Sequence, residues 1–448
     1  MKCLLYVPQY ECEGIRETHI ADVRVGGLTL LERACLSIQA AGFSDILLVK
    51  SHTYEMRPLA RLNTPVQALD YDSCPDEIAE QIVESLGDKR ICLCVLDAML
   101  SPSCLSIPPD GADVRILIDG TPTGIYFVSH QTAQKIVQSE HGLDDIESHV
   151  AETWQAPDHV LYHRMMCADD LRTGQNKLTR SLRKPLGRES DGLVAYFINR
   201  PCSLQISKRL ANTKITPNMV TFFGLLLGLA AATLVATGDH MLMVAAVILW
   251  QLSSMVDGID GELARMRMSP SHKGEWFDTI CDDVTNITFM LRLGHGLYMI
   301  GNDFPFMGEN SALYFFYIAV GVCTLMVIAV GWFYLEFLKM GIASHNHFEW
   351  GFESENKINK TQEHRNILRR TADLIAGGFA WIAKRDFYTF LIMLLVICDL
   401  NQPAYFIMLT GASFVGIGGL IALSIRAIRH RGKPKSPEAA PSPETNPK

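Results

Sequence analysis

Two acidic stretches decide how this chain is read: Asp257-Gly-Ile-Asp260-Gly261-Glu-Leu-Ala264-Arg265 and, after residues 266–273, Gly274-Glu-Trp-Phe-Asp278-Thr-Ile-Cys-Asp282. On a helix, Asp257, Asp260, Gly261 and Ala264 fall at i, i+3, i+4 and i+7, one face over two turns. Asp278 and Asp282 stand one turn apart on the next helix. The short connection between them predicts an antiparallel hairpin with both acidic pairs at its adjoining ends. Carboxylates gathered beside apolar surroundings repel one another and are costly to keep charged. Divalent cations remove both costs, and an all-oxygen ligand set suits Mg²⁺ or Mn²⁺ better than zinc. Gly261 and Ala264 keep that face clear for a diphosphate, and Arg265 is placed to meet a phosphate. A salt-bridged hairpin with helix-capping aspartates is the competing reading, but caps account for one acidic residue, not four.

Working outward, the hairpin lies within a series of long apolar runs. Six membrane spans are predicted, at 218–237, 241–264, 276–299, 312–336, 385–401 and 403–425, most reaching the roughly 20 residues that cross a bilayer as a helix. The fifth is short, a dense apolar run from Phe387 to Cys398 preceded by Lys384 and Arg385, which either anchor at the interface or receive a phosphorylated acceptor. Loops near 238–240, 300–311 and 399–402 contain no lysine or arginine, whereas Arg265, Arg267, Lys273, Lys357, Lys360, Arg365, Arg369, Arg370, Arg426, Arg429 and Arg431 collect on the other side. The positive-inside rule then predicts a multi-pass protein of the inner (cytoplasmic) membrane with both termini cytoplasmic. Gly224 and Gly228 form a GxxxG that allows close contact within the bundle or in a homodimer. Arg292, deep in the third span, is expected to face the bundle. Glu336 is expected to pair with Lys339. His345, His347 and Glu349 read as a solvated loop or, less simply, as metal ligands.

The whole-chain averages conceal this division: 48% of the 448 residues are hydrophobic and 20% are charged, as in an ordinary globular enzyme. The opening MKCLLYVP reads as a buried strand rather than a secretory leader. Twelve cysteines without a CxxC pair read as reduced, mostly buried thiols. The net charge of -8 indicates little, but Lys177, Arg180, Arg183, Lys184, Arg188, Arg200, Lys208, Arg209 and Lys214 crowd the approach to the first span, where they can meet anionic lipid headgroups. With no recognition helix or interleaved aromatics there, no nucleic-acid partner is expected. Residues 171–216 read as a basic juxtamembrane linker. Its 204–215 part has the apolar and basic spacing of an interfacial amphipathic helix, with a plain polar linker as the alternative. The tail, 432–448, is Pro- and Ser-rich and reads as disordered.

The acidic stretches resemble the CDP-alcohol phosphotransferases, also called CDP-alcohol phosphatidyltransferases. That family carries D-x-x-D-G-x-x-A-R, eight residues, then G-x-x-x-D-x-x-x-D, and Asp257, Asp260, Gly261, Ala264, Arg265, Gly274, Asp278 and Asp282 match every fixed position. The resemblance implies an all-α, six-helix and usually dimeric membrane catalytic domain, here 217–431, with metal sites facing the cytosol. It implies Asp257, Asp260 and Asp278 as ligands of two Mg²⁺ or Mn²⁺ ions, and Asp282 as general base bordering the same metal cluster. Thr221, in a Thr216-Pro-Asn-x-x-Thr221 entry like the family's, joins Asp257, Gly261, Ala264, Arg265 and Gly274 on the donor-binding face. The implied reaction is metal-dependent transfer of a phosphoalcohol group from a CDP-alcohol donor to a polar alcohol acceptor, releasing CMP, in phospholipid synthesis. CDP-diacylglycerol is the expected donor and an inositol-phosphate type the favoured acceptor. Transfer from a soluble CDP-polyol to a lipid alcohol is the alternative, and a divalent-cation or lipid transporter the non-enzymatic one.

Residues 1–170 read as a cytosolic α/β, Rossmann-like domain with a parallel sheet: strands in MKCLLYVP, ILLV, RICLCVL and ILIDGTPTGIYFVS, and a helix from about Leu30 to Ala41 that puts Leu31, Ala34, Cys35 and Ile38 on one face. This half is similar to the nucleotidyltransferases. Gly27-Leu28-Thr-Leu-Leu-Glu32 matches their G-K-P-L-I-E entry, with Leu28 in the lysine's place. Their Gly-rich phosphate cradle corresponds to Pro8-Gln-Tyr-Glu11-Cys-Glu13-Gly14-Ile-Arg16, which keeps only Gly14 and Arg16. Asp97 matches a strand-end metal aspartate. The expectation is a degenerate domain that scaffolds, binds a ligand or regulates, with an active cytidylyltransferase as the alternative. Arg183, Lys184 and Arg188 either approach the donor phosphates or belong to a charged surface linker.

Overall fold

The computed structural model describes residues 1–431 apart from 9–18, 52, 60, 71–81, 83–89, 109–112, 140–142, 144–145, 158–159, 185–190, 302–307 and 341–383. Two compact units form, one from residues 1–184, 204–215 and 261–270, the other from 185–203, 216–260 and 271–448. The predictions for Glu11, Glu13, Gly14, Arg16, Arg188, His345, His347, Glu349, the basic residues between 357 and 370 and the tail lie outside the described residues.

The first unit is built on a seven-stranded sheet in the order β10-β8-β9-β6-β1-β4-β5. Its strands are β1 (Lys2–Tyr6), β4 (Asp45–Lys50), β5 (Val66–Asp70), β6 (Ile91–Val95), β8 (Val114–Ile118), β9 (Thr121–Val128) and β10 (Glu152–Gln155), while β2 (Arg24–Val25) with β3 (Leu28–Thr29) and β7 (Ala98–Leu100) with β11 (Tyr162–Arg164) form small pairs. The sequence KCLLY makes a central strand because both of its faces are apolar: Cys3 and Leu5 enter one core, Leu4 and Tyr6 the other. β1 runs parallel to β4 and β6, but β9 runs antiparallel to both β6 and β8. The sheet is therefore mixed, not parallel as the sequence suggested. The cause is local: Asp119 and Gly120, at φ 51 and 73, close a two-residue hairpin between β8 and β9, which leaves no room for a crossover.

Helix α1 (Leu30–Ala40) starts at a capping box in which the Glu32 amide donates to Thr29 Oγ1 at 3.1 Å and the Thr29 amide to Glu32 Oε2 at 3.0 Å. Its Leu31, Ala34, Cys35 and Ile38 are buried, as their spacing predicts. Helices α2 (His130–Val137), α3 (Ile146–His149) and α4 (Ala168–Ser181) complete the α/β part. The cysteines among the described residues are free thiols.

A π-helical turn, Ala195–Asn199, leads into α5 (Arg200–Leu210). Six helices then cover the six apolar segments: α6 (Pro217–Val235), α7 (His240–Met266), α8 (His272–Met299), α9 (Ser311–Met340), α10 (Arg385–Ile397) and α11 (Asn401–Arg431). Four of these, α6, α7, α9 and α11, are long and apolar enough to cross a membrane. The other two fall short for plain reasons: α8 carries Asp278, Asp282, Asp283 and Arg292, and α10 is 13 residues long.

The helical unit packs around Trp250 and Phe289, fully buried and stacked at 4.0 Å between centroids. Glycines let its helices approach: a Cβ on Gly228 would stand 2.2 Å from Thr285 Cγ2, and one on Gly296 2.3 Å from the Val235 carbonyl oxygen. Lys339 donates to Glu336 at 2.7 Å, the expected pair. Arg292 is exposed, against the expectation that it faces the bundle. The buried face of α8 passes through Phe289, Leu293 and Leu297, and one residue's offset, about 100° around a helix, turns Arg292 away from it.

Candidate active site

Helix α6 begins where Thr216 caps it and Pro217 occupies its first position, a start that needs no amide donor from proline. One turn on, the Thr221 hydroxyl donates to Asp260 Oδ2 on α7, and Asp260 is buried. Ser253, two turns back along α7, donates to the Gly224 carbonyl at 2.9 Å, so two side-chain bonds tie α6 to α7 beside the acidic residues.

Helix α8 starts at Ser271, whose hydroxyl accepts from the Gly274 amide at 3.0 Å. A Cβ on Gly274 would come within 2.7 Å of that hydroxyl and 3.3 Å of Asn218 Oδ1, which explains a glycine here in packing terms. From this start, α8 carries Asp278 and Asp282 to the level of Asp257. Carboxylate oxygens of Asp257, Asp278 and Asp282 lie within 4.8 Å of one another. Three of the four acidic residues expected to converge, Asp257, Asp278 and Asp282, thus come together from two helices.

The fit to a divalent cation rests on the donor set and on one orphan atom. Asp278 Oδ1 is buried and has no hydrogen-bond partner, while the neighbouring donors are all oxygen. Like charges at this separation repel strongly in a partly buried place, and a hard cation would satisfy both the charge and the orphan acceptor. Asp260 lies outside that group of three, and the Thr221 hydroxyl donates to it. Thr221, Asp257, Asp278, Asp282 and Arg385, with Gly224, Leu225, Ser253, Cys281 and Thr285, line one cavity.

Arg385, which the sequence left between receiving a phosphorylated acceptor and anchoring the interface, was not expected beside the aspartates. The fifth helix places its guanidinium against the cluster, where Nη1 lies 3.3 Å from Asp257 Oδ1 and pairs with Asp282 Oδ1. Buried polar contacts hold α10 in place: Asp386 accepts from the Ala195 amide at 2.7 Å, and Thr389 donates to Gln251 Oε1 at 2.8 Å, whose Nε2 donates to Asn199 at 3.2 Å. Asp191 grips Arg200 through two bonds, 2.8 and 3.0 Å, and a Cβ on Gly258, beside Asp257, would stand 3.2 Å from Arg200 Nη1.

The rest of the motif continues along α7. Gly261, Ala264 and Arg265 fall in the stretch 261–270 that groups with the α/β unit. A Cβ on Gly261 would stand 3.4 Å from Arg265 Nη1, so the glycine leaves room for the exposed Arg265 side chain to fold back along its own helix.

Residues 214–360 match the family model of the CDP-alcohol phosphatidyltransferases. A bifunctional IPC transferase and DIPP synthase of Thermococcus kodakarensis is 36% identical over 129 residues, 28% of this chain and 28% of the relative. The chain's match therefore spans little more than a quarter of that relative's length. A protein of the same name from Rubrobacter xylanophilus is 26% identical over 303 residues, covering 58% of this chain and 69% of the relative. Among solved structures, a putative glucose-1-phosphate thymidylyltransferase from Bacillus anthracis covers 42% of this chain and 97% of its own, with 11% identity and a TM-score of 0.30. With the aspartates of both stretches inside the matched region, residues 214–360 carry a CDP-alcohol phosphatidyltransferase domain.

Proposed function

We propose that this protein transfers a phosphatidyl group from CDP-diacylglycerol to a hydroxyl of a polar alcohol of the inositol-phosphate type, releasing CMP. The observation that carries the reading is the group Asp257, Asp278 and Asp282, from two helices inside the matched family region. The CDP-activated donor follows from the family; the lipid donor follows from a site built among apolar helices, where a membrane-anchored substrate arrives laterally. The acceptor follows from fusion to an α/β unit that resembles nucleotidyltransferases, and the names of the relatives are compatible with it. In this reading all six helices cross the inner membrane, both termini are cytoplasmic, and the working form is a homodimer.

Asp257, Asp260 and Asp278 would hold two Mg²⁺ or Mn²⁺ ions, which supply charge neutralisation at the pyrophosphate. The acceptor oxygen attacks the phosphorus that carries diacylglycerol; the new P–O bond forms as the bond to the CMP oxygen breaks. Asp282 takes the proton of the attacking hydroxyl. Arg385 orients Asp282 through their ion pair, and Thr221 fixes Asp260 through its hydroxyl. Gly261 and Ala264 leave the donor's path clear, with Arg265 and Gly274 at its edge.

The test is to give the purified full-length protein labelled CDP-diacylglycerol, Mg²⁺ or Mn²⁺ and a panel of alcohols, following CMP and lipid product together. Equimolar CMP and a phosphatidyl-alcohol with an inositol phosphate are expected. CMP release that is indifferent to the alcohol, or product only from a CDP-polyol and a lipid alcohol, would replace this assignment.

A further inference from the structure

The connection between the two carboxylate helices is gripped by residues of the α/β unit that the proposed reaction does not use. Residues 261–270 belong to that unit, and Met266 is the last residue of α7. Arg33 on α1 is 3% exposed, and its Nη2 donates to the carbonyls of Val25 at 2.8 Å and Met266 at 2.6 Å. Arg61 Nη1 donates to the Arg267 carbonyl at 3.2 Å. The Arg267 guanidinium is itself spent on the turn after α5, donating to the carbonyls of Leu210, Ala211, Thr213 and Ile215 at 2.6 to 3.1 Å. A buried bond of 2.7 Å from Ser207 to Glu262 adds to this grip.

The Gly26–Gly27 turn sets the geometry of Arg33's partner Val25. Both glycines have positive φ, 59° and 86°, and a Cβ on Gly27 would stand 2.2 Å from the Ala211 carbonyl oxygen. Met268, two residues past the end of α7, takes φ 46°, a left-handed conformation that a residue with a side chain holds only when its surroundings impose it. The last carbonyls of a helix lack partners within it, and here a buried guanidinium from another element supplies one.

We infer that Arg33, set by the Gly26–Gly27 turn, is a positioning residue for the carboxylate hairpin: by holding Met266 it fixes the connection through which Asp260 is joined to Asp278. The inference rests on the reading of the aspartate group as a divalent-cation transferase site. It gives the α/β unit a task that needs no nucleotide chemistry. Misplacement of a catalytic group by about 1 Å can cost on the order of a hundredfold in rate, so a helix end far from the reacting atoms can still govern turnover.

The experiment uses the full-length protein in lipid nanodiscs with Arg33→Met, Arg33→Lys, Gly27→Ala and, as a control, Arg115→Met. Arg115 pairs with Glu147 in the same unit and touches none of the residues above. Amide exchange over 266–271, Mn²⁺ affinity by electron paramagnetic resonance, and kcat and KM for CMP release are measured together, with thermal melts to confirm folding. Arg33→Met and Gly27→Ala are expected to speed exchange at 266–271 roughly tenfold, weaken Mn²⁺ binding by a similar factor and lower kcat with the acceptor KM unchanged. Arg33→Lys should recover part of each, because its ammonium keeps the charge and enough donors for two carbonyls but does not stand where Nη2 stands. Wild-type exchange and Mn²⁺ affinity in Arg33→Met would overturn the inference, as would equal losses in Arg115→Met, which would mark the effect as general destabilisation. A wild-type protein that neither binds Mn²⁺ nor releases CMP would instead sink the reading of the site, and Arg33's hold on the connection would then stand or fall on amide exchange alone.

Discussion

Asp282 pairs with Arg385 and shares its cluster with Asp257 and Asp278, so conservative replacements can separate the roles proposed for them. Asparagine keeps the shape of the side chain but cannot accept the acceptor's proton. Asp282→Asn should lower turnover by roughly 10²- to 10⁴-fold with Mn²⁺ affinity nearly intact. Asp257→Asn and Asp278→Asn should lose metal binding as well; a Mn²⁺ titration of each variant beside initial rates decides, and Asp282 becomes a ligand if its variant loses the metal as severely. A second prediction belongs to Asp97. Its carboxylate is 2% exposed, with Oδ1 unpartnered and Oδ2 2.6 Å from Arg164. Burial raises its pKa, and Arg164 offsets this only in part. The folded state therefore binds the proton more tightly than the unfolded chain: Asp97's contribution is fully present below the ordinary carboxylate pKa and is lost as pH rises through the raised value. Asp97→Asn, neutral throughout, should melt higher than wild type, by a margin that widens as pH rises above the ordinary carboxylate range. Constant or reversed margins in thermal melts would count against this account. The aspartates of the hairpin were legible in the sequence because their spacing is local to two helices. Arg385 was not, since only the packing of a distant helix brings it to them.

At the scale of elements, apolar length made the six helical segments largely readable and Thr216-Pro217 marks the start of α6, whereas α8 begins at Ser271, ahead of the expected span at 276–299. The antiparallel β9 was missed although Asp119-Gly120 lies in plain view, because a buried strand's apolar run carries no sign of its direction. Facing was the least legible property, as Arg292 shows, since it depends on a rotation that hydrophobic length does not fix. Glycine contacts turn helix packing into a graded prediction. The Val235 carbonyl opposite Gly296 is backbone and cannot rotate away, whereas Thr285 opposite Gly228 can shift a methyl group. Gly296→Ala should therefore destabilise the helical unit by more than Gly228→Ala, both within about 1–3 kcal/mol as overpacking typically costs. Gly321 has no atom within 4 Å of its would-be Cβ, so Gly321→Ala should be neutral or gain up to about 1 kcal/mol from helix propensity. Unfolding titrations of the three variants in one detergent give the order directly, and equal losses in all three would refute the packing argument.

For the whole molecule, the question is whether the chain carries one reaction or two. The division into an α/β unit and a helical unit was legible from composition, and Leu28 in the place of a lysine leads us to propose that the first is not a working nucleotidyltransferase. What the sequence could not reveal is how the remaining parts are engaged. The Gly26–Gly27 turn, which opens the stretch that resembles the nucleotidyltransferase entry, is closed against Ala211 and donates its Gly27 amide to Asn212 Oδ1 at 3.1 Å. Asp97, expected as a metal ligand, is buried and bonded to Arg164, a monovalent cation already in place. A carboxylate so committed would have to release a 2.6 Å charge-assisted bond before it could hold Mg²⁺, while its other oxygen is shut in against Gly124. The full-length protein given CTP, Mg²⁺ and phosphorylated polyols should therefore release no pyrophosphate above background, and Asp97→Asn should not change that result. The same preparation should release CMP when CDP-diacylglycerol and an acceptor are supplied, which shows that the protein is intact. Pyrophosphate released in step with a CDP-polyol, and abolished by Asp97→Asn, would restore the α/β unit as a second catalyst and make Arg164 a residue that moves aside for the metal.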